Sequence, residues 1–222
     1  MRICFCVVLF SMFGSVSTAE PVVMDGKTPR LQNDFDRPTT VDVFCNPLEV
    51  SLGDPQILQD GDMYYLYGTT YDTLGFEVWS SSDLVHWRKH GFCWQKSGTT
   101  WAQRYLWAPE AIKVGGTYYL FYTGATASDP RLRVCVASST SPLGPYADLQ
   151  APLVGMGEVN HFDPSVYRDP VTDDCFLYYT VDTTQSGSNY SEIRCVRLGS
   201  DMKSLIGFPV VCIKGDQNWE YT

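Results

Sequence analysis

The chain has 222 residues and a formal net charge of −9, with 18% charged and 14% aromatic side chains. Its 18 glycines and 13 prolines are spread along its length; this composition excludes a disordered chain, a coiled coil and a charge-rich helical protein, and predicts short strands joined by turns. The acidic balance argues against nucleic acid or an anionic membrane surface as partner and leaves neutral substrates open.

Residues 1–19 read as a signal peptide: Arg2 supplies the positive start, residues 3–13 the apolar run, and Ser17-Thr18-Ala19 a small-residue cleavage site. Ser11, Ser15, Ser17 and Thr18 interrupt this segment, and it is too short for a spanning helix. No later segment is long and apolar enough, so the expectation is a secreted or periplasmic protein with no membrane span once the leader is gone. Export leaves Cys45, Cys93, Cys135, Cys175, Cys195 and Cys212. They suit disulfides or buried apolar positions equally, and the sequence does not choose a pairing. There is no C-x-x-C pair, so neither a zinc site nor a redox motif is expected. Asn189-Tyr190-Ser191 is a glycosylation sequon in a eukaryotic secretory route. Residues 20–45 lack periodicity and read as an N-terminal arm ahead of a domain over 46–222.

Three stretches of that domain share one pattern. Asp54-Pro55-Gln56-Ile57-Leu58 leads through a turn at Asp60-Gly61 into Met63-Tyr64-Tyr65-Leu66-Tyr67. Ala108-Pro109-Glu110-Ala111-Ile112 leads through Gly115-Gly116 into Tyr118-Tyr119-Leu120-Phe121-Tyr122. Asp163-Pro164-Ser165-Val166-Tyr167 leads through a turn near Asp173-Asp174 into Cys175-Phe176-Leu177-Tyr178-Tyr179. Each is a hairpin, an apolar run and an aromatic run around turn residues. A third strand follows each time, in Phe76-Glu77-Val78-Trp79, residues 131–136 and residues 192–196; a fourth is implied by the spacing. The prolines stand at 55, 109 and 164. Four antiparallel strands recurring about every 55 residues predict an all-β β-propeller, with proline opening each first strand because it has no N–H to give a ladder.

The register aligns Asp54, Ala108 and Asp163. Alanine in the second unit means that the blade itself does not need the carboxylate. Two carboxylates sent to one mouth from different blades suit acid/base chemistry, since their surroundings can separate their proton affinities. An Asx-turn ahead of proline is the structural alternative at both sites.

These motifs resemble glycoside hydrolase family 43. The resemblance rests on Gly53-Asp54-Pro55, Tyr64-Tyr65-Leu66, Ser82-Asp83-Leu84-Val85-His86-Trp87, Leu106-Trp107-Ala108-Pro109-Glu110, Gly116-Thr117-Tyr118-Tyr119-Leu120, Ser141-Pro142-Leu143-Gly144-Pro145-Tyr146 and Phe162-Asp163-Pro164-Ser165-Val166. It implies a five-bladed propeller that hydrolyses glycosidic bonds in arabinose- or xylose-containing polysaccharides by inversion. It implies Asp54 as the general base and Asp163 as the residue that raises the pKa of the general acid and orients it. Trp107, Phe162 and His161, next to the aligned positions, are the candidate substrate contacts, with packing inside the blade as the competing role for the two aromatics. Some members hold a calcium in the channel, but no acidic loop here demands one, and no cofactor is expected. Arg168-Asp169-Pro170 is similar to a motif of retaining sucrose and fructan hydrolases, yet its position predicts a turn. An inactive carbohydrate-binding remnant and a retaining fructan or sucrose hydrolase are the alternatives.

The resemblance further implies a general-acid glutamate in a Glu-x-Pro sequence opening the fourth blade. Glu220, in Trp219-Glu220-Tyr221, resembles the segment ahead of that acid rather than the acid itself. Five blades need roughly 275 residues. Residues 46–222 therefore predict about three blades of a C-terminally truncated member, with the acid beyond residue 222.

Overall fold

A computed structural model of the chain describes residues 50–155, 157–182 and 191–215. The leader, the arm, Cys45, Asn189 and Glu220 lie outside the described residues. The chain divides into Met1–Phe44 and Cys45–Thr222, and every described residue belongs to the second unit.

The described regular structure is β, in three four-stranded antiparallel meanders. The first blade holds β1 (Gly53–Asp60), β2 (Met63–Thr69), β3 (Gly75–Ser81) and β4 (Arg88–Gln95). The second holds β5 (Arg104–Val114), β6 (Thr117–Ala125), β7 (Arg133–Ser139) and β8 (Ala147–Val154). The third holds β9 (Asn160–Arg168), β10 (Cys175–Asp182), β11 (Ser191–Leu198) and β12 (Leu205–Lys214). These are three blades of a β-propeller.

Turn chemistry explains the first two hairpins. Gly61 and Gly115 both take φ of 61°, the left-handed value that a two-residue connection needs and that glycine adopts without a Cβ clash. The third connection is six residues long. Asp169 Oδ1 accepts the N–H groups of Val171 and Thr172, and non-glycine Asp173 takes the positive φ. Asp169 of the Arg-Asp-Pro motif thus caps a turn.

The core lies between the blades. One cluster joins the first two blades through Phe76, Trp94, Leu120 and Tyr122, the last two with no exposed surface. The Trp94 and Tyr122 rings stand 4.9 Å apart. The other cluster joins the second and third blades through Phe121, Val136, Leu177 and Val181. β10 alternates strictly, sending Cys175, Leu177, Tyr179 and Val181 inward. Each large side chain so buried contributes about 1.5–3 kcal/mol. The aromatic runs of the second strands are therefore inter-blade packing, and Trp79 is likewise buried.

Polar ties cross the same seams. Gln56 Oε1 accepts Ala111 N–H at 3.1 Å and its Nε2 donates to the Ala111 carbonyl at 3.2 Å. In the next seam, Glu110 Oε1 accepts Val166 N–H at 2.7 Å and the Ser165 hydroxyl at 3.2 Å. At the far end of the first seam Asp60 accepts from Lys113 Nζ and the Tyr118 hydroxyl. Tyr122 OH and Trp94 Nε1 both donate to Asp148 Oδ1 at 2.8 Å. Among the described residues Cys93, Cys135, Cys175, Cys195 and Cys212 are all free thiols.

The fourth strands, β4, β8 and β12, form the outer edges. Pro152 in β8 and Pro209 in β12 are tolerated there, because an edge has ladder partners on one side only. β12 exposes Phe208 (94%), Val210 (61%) and Ile213 (60%).

Candidate active site

The aligned positions share a backbone conformation that the sequence conceals. Asp54, Ala108 and Asp163 take φ of 49°, 43° and 51°. Each lies where the register between first and second strand shifts, across Gly53/Gln56, Trp107/Glu110 and Tyr178/Thr180. Every blade therefore opens with a bulge, a device that bends a strand and re-aims a side chain. Aspartate tolerates the left-handed region better than alanine does. Alanine adopts it all the same, so the conformation belongs to the blade. Among the described residues neither carboxylate accepts a hydrogen bond from the backbone two residues on, so the Asx-turn alternative does not hold.

A threonine of the second strand accompanies each bulge. Thr69 pairs with Gly53, Thr123 with Trp107 and Thr180 with Phe162, in each case the residue ahead of the bulged one. Thr69 Oγ1 donates to Asp54 Oδ2 at 2.7 Å and accepts Ala108 N–H at 2.8 Å. Thr123 Oγ1 accepts Asp163 N–H at 3.0 Å.

The two carboxyls sense each other. Asp163 is open to solvent on one side but surrounded by protein on the others. Desolvation by that surrounding chain, reinforced by the negative charge of Asp54, pushes its carboxyl up to about 6. Burial also raises Glu110 above the ordinary glutamate value. The constellation thus combines a carboxyl held by a hydroxyl donor with a second carboxyl of raised proton affinity.

The other expected contacts separate. Trp107 and Phe162 are half-buried at equivalent positions beside the bulges. His161 is only 6% exposed, packs 5.8 Å from the Tyr179 ring and shares Nδ1 with the Val159 carbonyl at 3.2 Å. Burial pushes it down to about 4, leaving a neutral imidazole with little surface for a sugar. Its neighbour Arg133 donates to the Val159 and Gly157 carbonyls and stiffens the loop leading into β9.

Tyr105 escapes the sequence reading. Its ring lies 5.1 Å from that of Trp107, with the Arg104 guanidinium 5.3 Å from its centroid, and its φ is 54°. The signal was the Tyr105-Leu106-Trp107 run, two aromatics on one side of a strand about to bulge. Leu106 N–H bonds to the Asp72 carbonyl and ties this segment to the first blade. Among the described residues no three His, Cys, Asp or Glu side chains form a group able to hold a metal.

The pattern of "Glycosyl hydrolases family 43" matches residues 44–222. The chain is 31% identical over 126 residues to the extracellular endo-alpha-(1->5)-L-arabinanase of Thermotoga petrophila (strain ATCC BAA-488 / DSM 13995 / JCM 10881 / RKU-1), covering 50% of this chain and 26% of that protein. It is 28% identical over 140 residues to the xylosidase/arabinosidase 43A of Humicola insolens, covering 61% and 39%. The fold superposes on the crystal structure of a thermostable family-43 glycoside hydrolase with a TM-score of 0.73 and 31% identity, covering 80% of this chain and 58% of that one. The chain thus spans well under two thirds of each of these relatives.

Proposed function

The chain belongs to family 43 of the glycosyl hydrolases, and we propose that it hydrolyses O-glycosidic bonds in arabinose- or xylose-containing polysaccharides and oligosaccharides, with inversion at the anomeric carbon. The observation that carries the reading is the pair of bulged aspartates, sent from the first and third blades and electrostatically coupled. Asp54 is the general base that takes a proton from the attacking water. Above its raised value of about 6 Asp163 is ionised, and its negative charge next to the general acid holds that acid's proton affinity up. The acid is a glutamate of the Glu-x-Pro type, downstream of the described residues. Acid and base in such a site stand about 6.5–9.5 Å apart, with a water beneath the sugar.

Trp107, with Tyr105 beside it, and Phe162 offer aromatic faces for the apolar sides of sugar rings. His161 supports the loop behind Asp163. The leader read in the sequence and the extracellular arabinanase relative support action outside the cytoplasm. A sugar-binding unit without hydrolysis is the second reading, supported by the paired Tyr105 and Trp107 rings beside the second bulge.

The test is to incubate the full-length protein, with its Glu-x-Pro segment, with arabinan, arabino-oligosaccharides and xylo-oligosaccharides, separate the products, and assign the first-released anomer by proton NMR. Pentose release that falls roughly 10²- to 10⁴-fold in Asp54→Asn supports the reading. Release with retained configuration refutes inversion. Oligosaccharide binding without release selects the second reading.

A further inference from the structure

We propose that Thr69 is a positioning residue for the Asp54 carboxylate, holding one oxygen fixed so that the other faces the attacking water. This rests on the assignment of Asp54 as the base. A threonine hydroxyl has one proton to give. In Thr69 the acceptor side is taken by Ala108 N–H at 2.8 Å, so its proton is committed to Asp54 Oδ2 at 2.7 Å. The hydroxyl has no second orientation that satisfies both partners.

Comparison between blades separates the two halves of this arrangement. The acceptor half recurs where Thr123 receives Asp163 N–H at 3.0 Å, a tie from one blade to the opening bulge of the next. The donor half belongs to Thr69. Beside Thr123 the bulged residue is Ala108, which has no acceptor, and Thr180 makes no hydrogen bond to the Asp163 carboxyl although it holds the same register. A structural rivet therefore carries an added task in the blade whose carboxylate must be aimed at the attacking water. The contrast separates the two carboxyls: Asp54 receives a donor, while Asp163, whose proton affinity desolvation raises, receives none from its threonine. The same hydroxyl couples the base to the second blade, since Ala108 follows Trp107 in the chain. A shift of the candidate sugar platform is thus felt at Asp54 through one atom.

The test compares Thr69→Val, Thr69→Ser, Thr123→Val and Asp54→Asn in the full chain, by crystallography and by hydrolysis of an aryl arabinofuranoside. In Thr69→Val the Asp54 carboxylate rotates away from its wild-type orientation, whereas Thr123→Val, which loses the same backbone tie, leaves it in place. Losing a hydrogen bond to an ionised group lowers kcat roughly 10- to 100-fold, with KM changed by less than about two-fold because the water and not the sugar is misplaced. Thr69→Ser restores both orientation and turnover. An unmoved Asp54 carboxylate in Thr69→Val overturns the inference, as does an equal loss in Thr123→Val. Full activity of Asp54→Asn refutes the base assignment instead. The crystallographic comparison decides the role of Thr69 by itself where turnover is below detection.

Discussion

Replacing Glu110 by glutamine tests how the blades are joined. Gln56 and Glu110 follow the repeat proline in successive blades, and each reaches across a seam to the backbone of the next first strand. Gln56 both accepts from and donates to Ala111, whereas Glu110 accepts from Val166 N–H and, when ionised, has nothing to offer the Val166 carbonyl. Burial raises the Glu110 carboxyl above the ordinary 4.5. The folded chain therefore keeps a proton that the unfolded chain releases. The stability this represents is complete below the ordinary value and is lost as pH rises through the folded one. Glu110→Gln restores the donor permanently. One added neutral hydrogen bond is worth about 0.5–1.5 kcal/mol, which raises Tm by roughly 2–4 °C per kcal/mol in a chain of this size. Urea unfolding followed by tryptophan fluorescence at about pH 4 and about pH 7 is the assay, and the gain of the variant should appear at the higher pH and shrink at the lower. A variant less stable at neutral pH, or an offset equal at both, refutes the reasoning.

Further expectations follow from the same seams and site. Tyr122→Phe removes the hydroxyl that donates to Asp148 without opening a cavity, and should cost about 1 kcal/mol in chemical denaturation; no loss would mean that Asp148 is satisfied by Trp94 alone. Asp163→Asn should flatten the pH dependence of Tm between the ordinary 3.8 and the raised value of about 6, where the wild type loses stability as pH rises. Parallel curves for the two proteins would contradict the raised carboxyl. Of the five described thiols Cys212 is the exposed one, while burial pushes Cys93 up to about 12, so alkylation followed by peptide mass spectrometry should label Cys212 first. Early labelling of Cys93 would show that the first seam opens.

The hairpins were legible because their signals are local. Gly61 and Gly115 announce the turns, and the repeat prolines fix the register. The fourth strands were less legible because an edge strand needs little alternation: β4 mixes Arg88, His90 and Trp94, and β8 carries a proline. Asp54 and Asp163 stood out against Ala108, but the left-handed backbone they share was hidden, since nothing in Ala108-Pro109 announces a positive φ. The role of Thr69 depends on an amide 39 residues away and was beyond any window on the sequence. Adjacency to Asp163 in the chain could not show that His161 is buried, 6% exposed against the Tyr179 ring and the Val159 carbonyl.

The outer edge of the third blade bears on how the protein behaves as its concentration rises. A sheet edge with ladder partners on one side only is a template for strands of other molecules. Pro209 removes one N–H from that edge and divides it into runs of four and five residues, and the left-handed φ of 78° at Gly207 breaks its flatness. Such interruptions act as gatekeepers against fibrillar stacking. Pro209→Val should therefore shift the concentration at which light scattering sets in downwards, with little change in the folded blade.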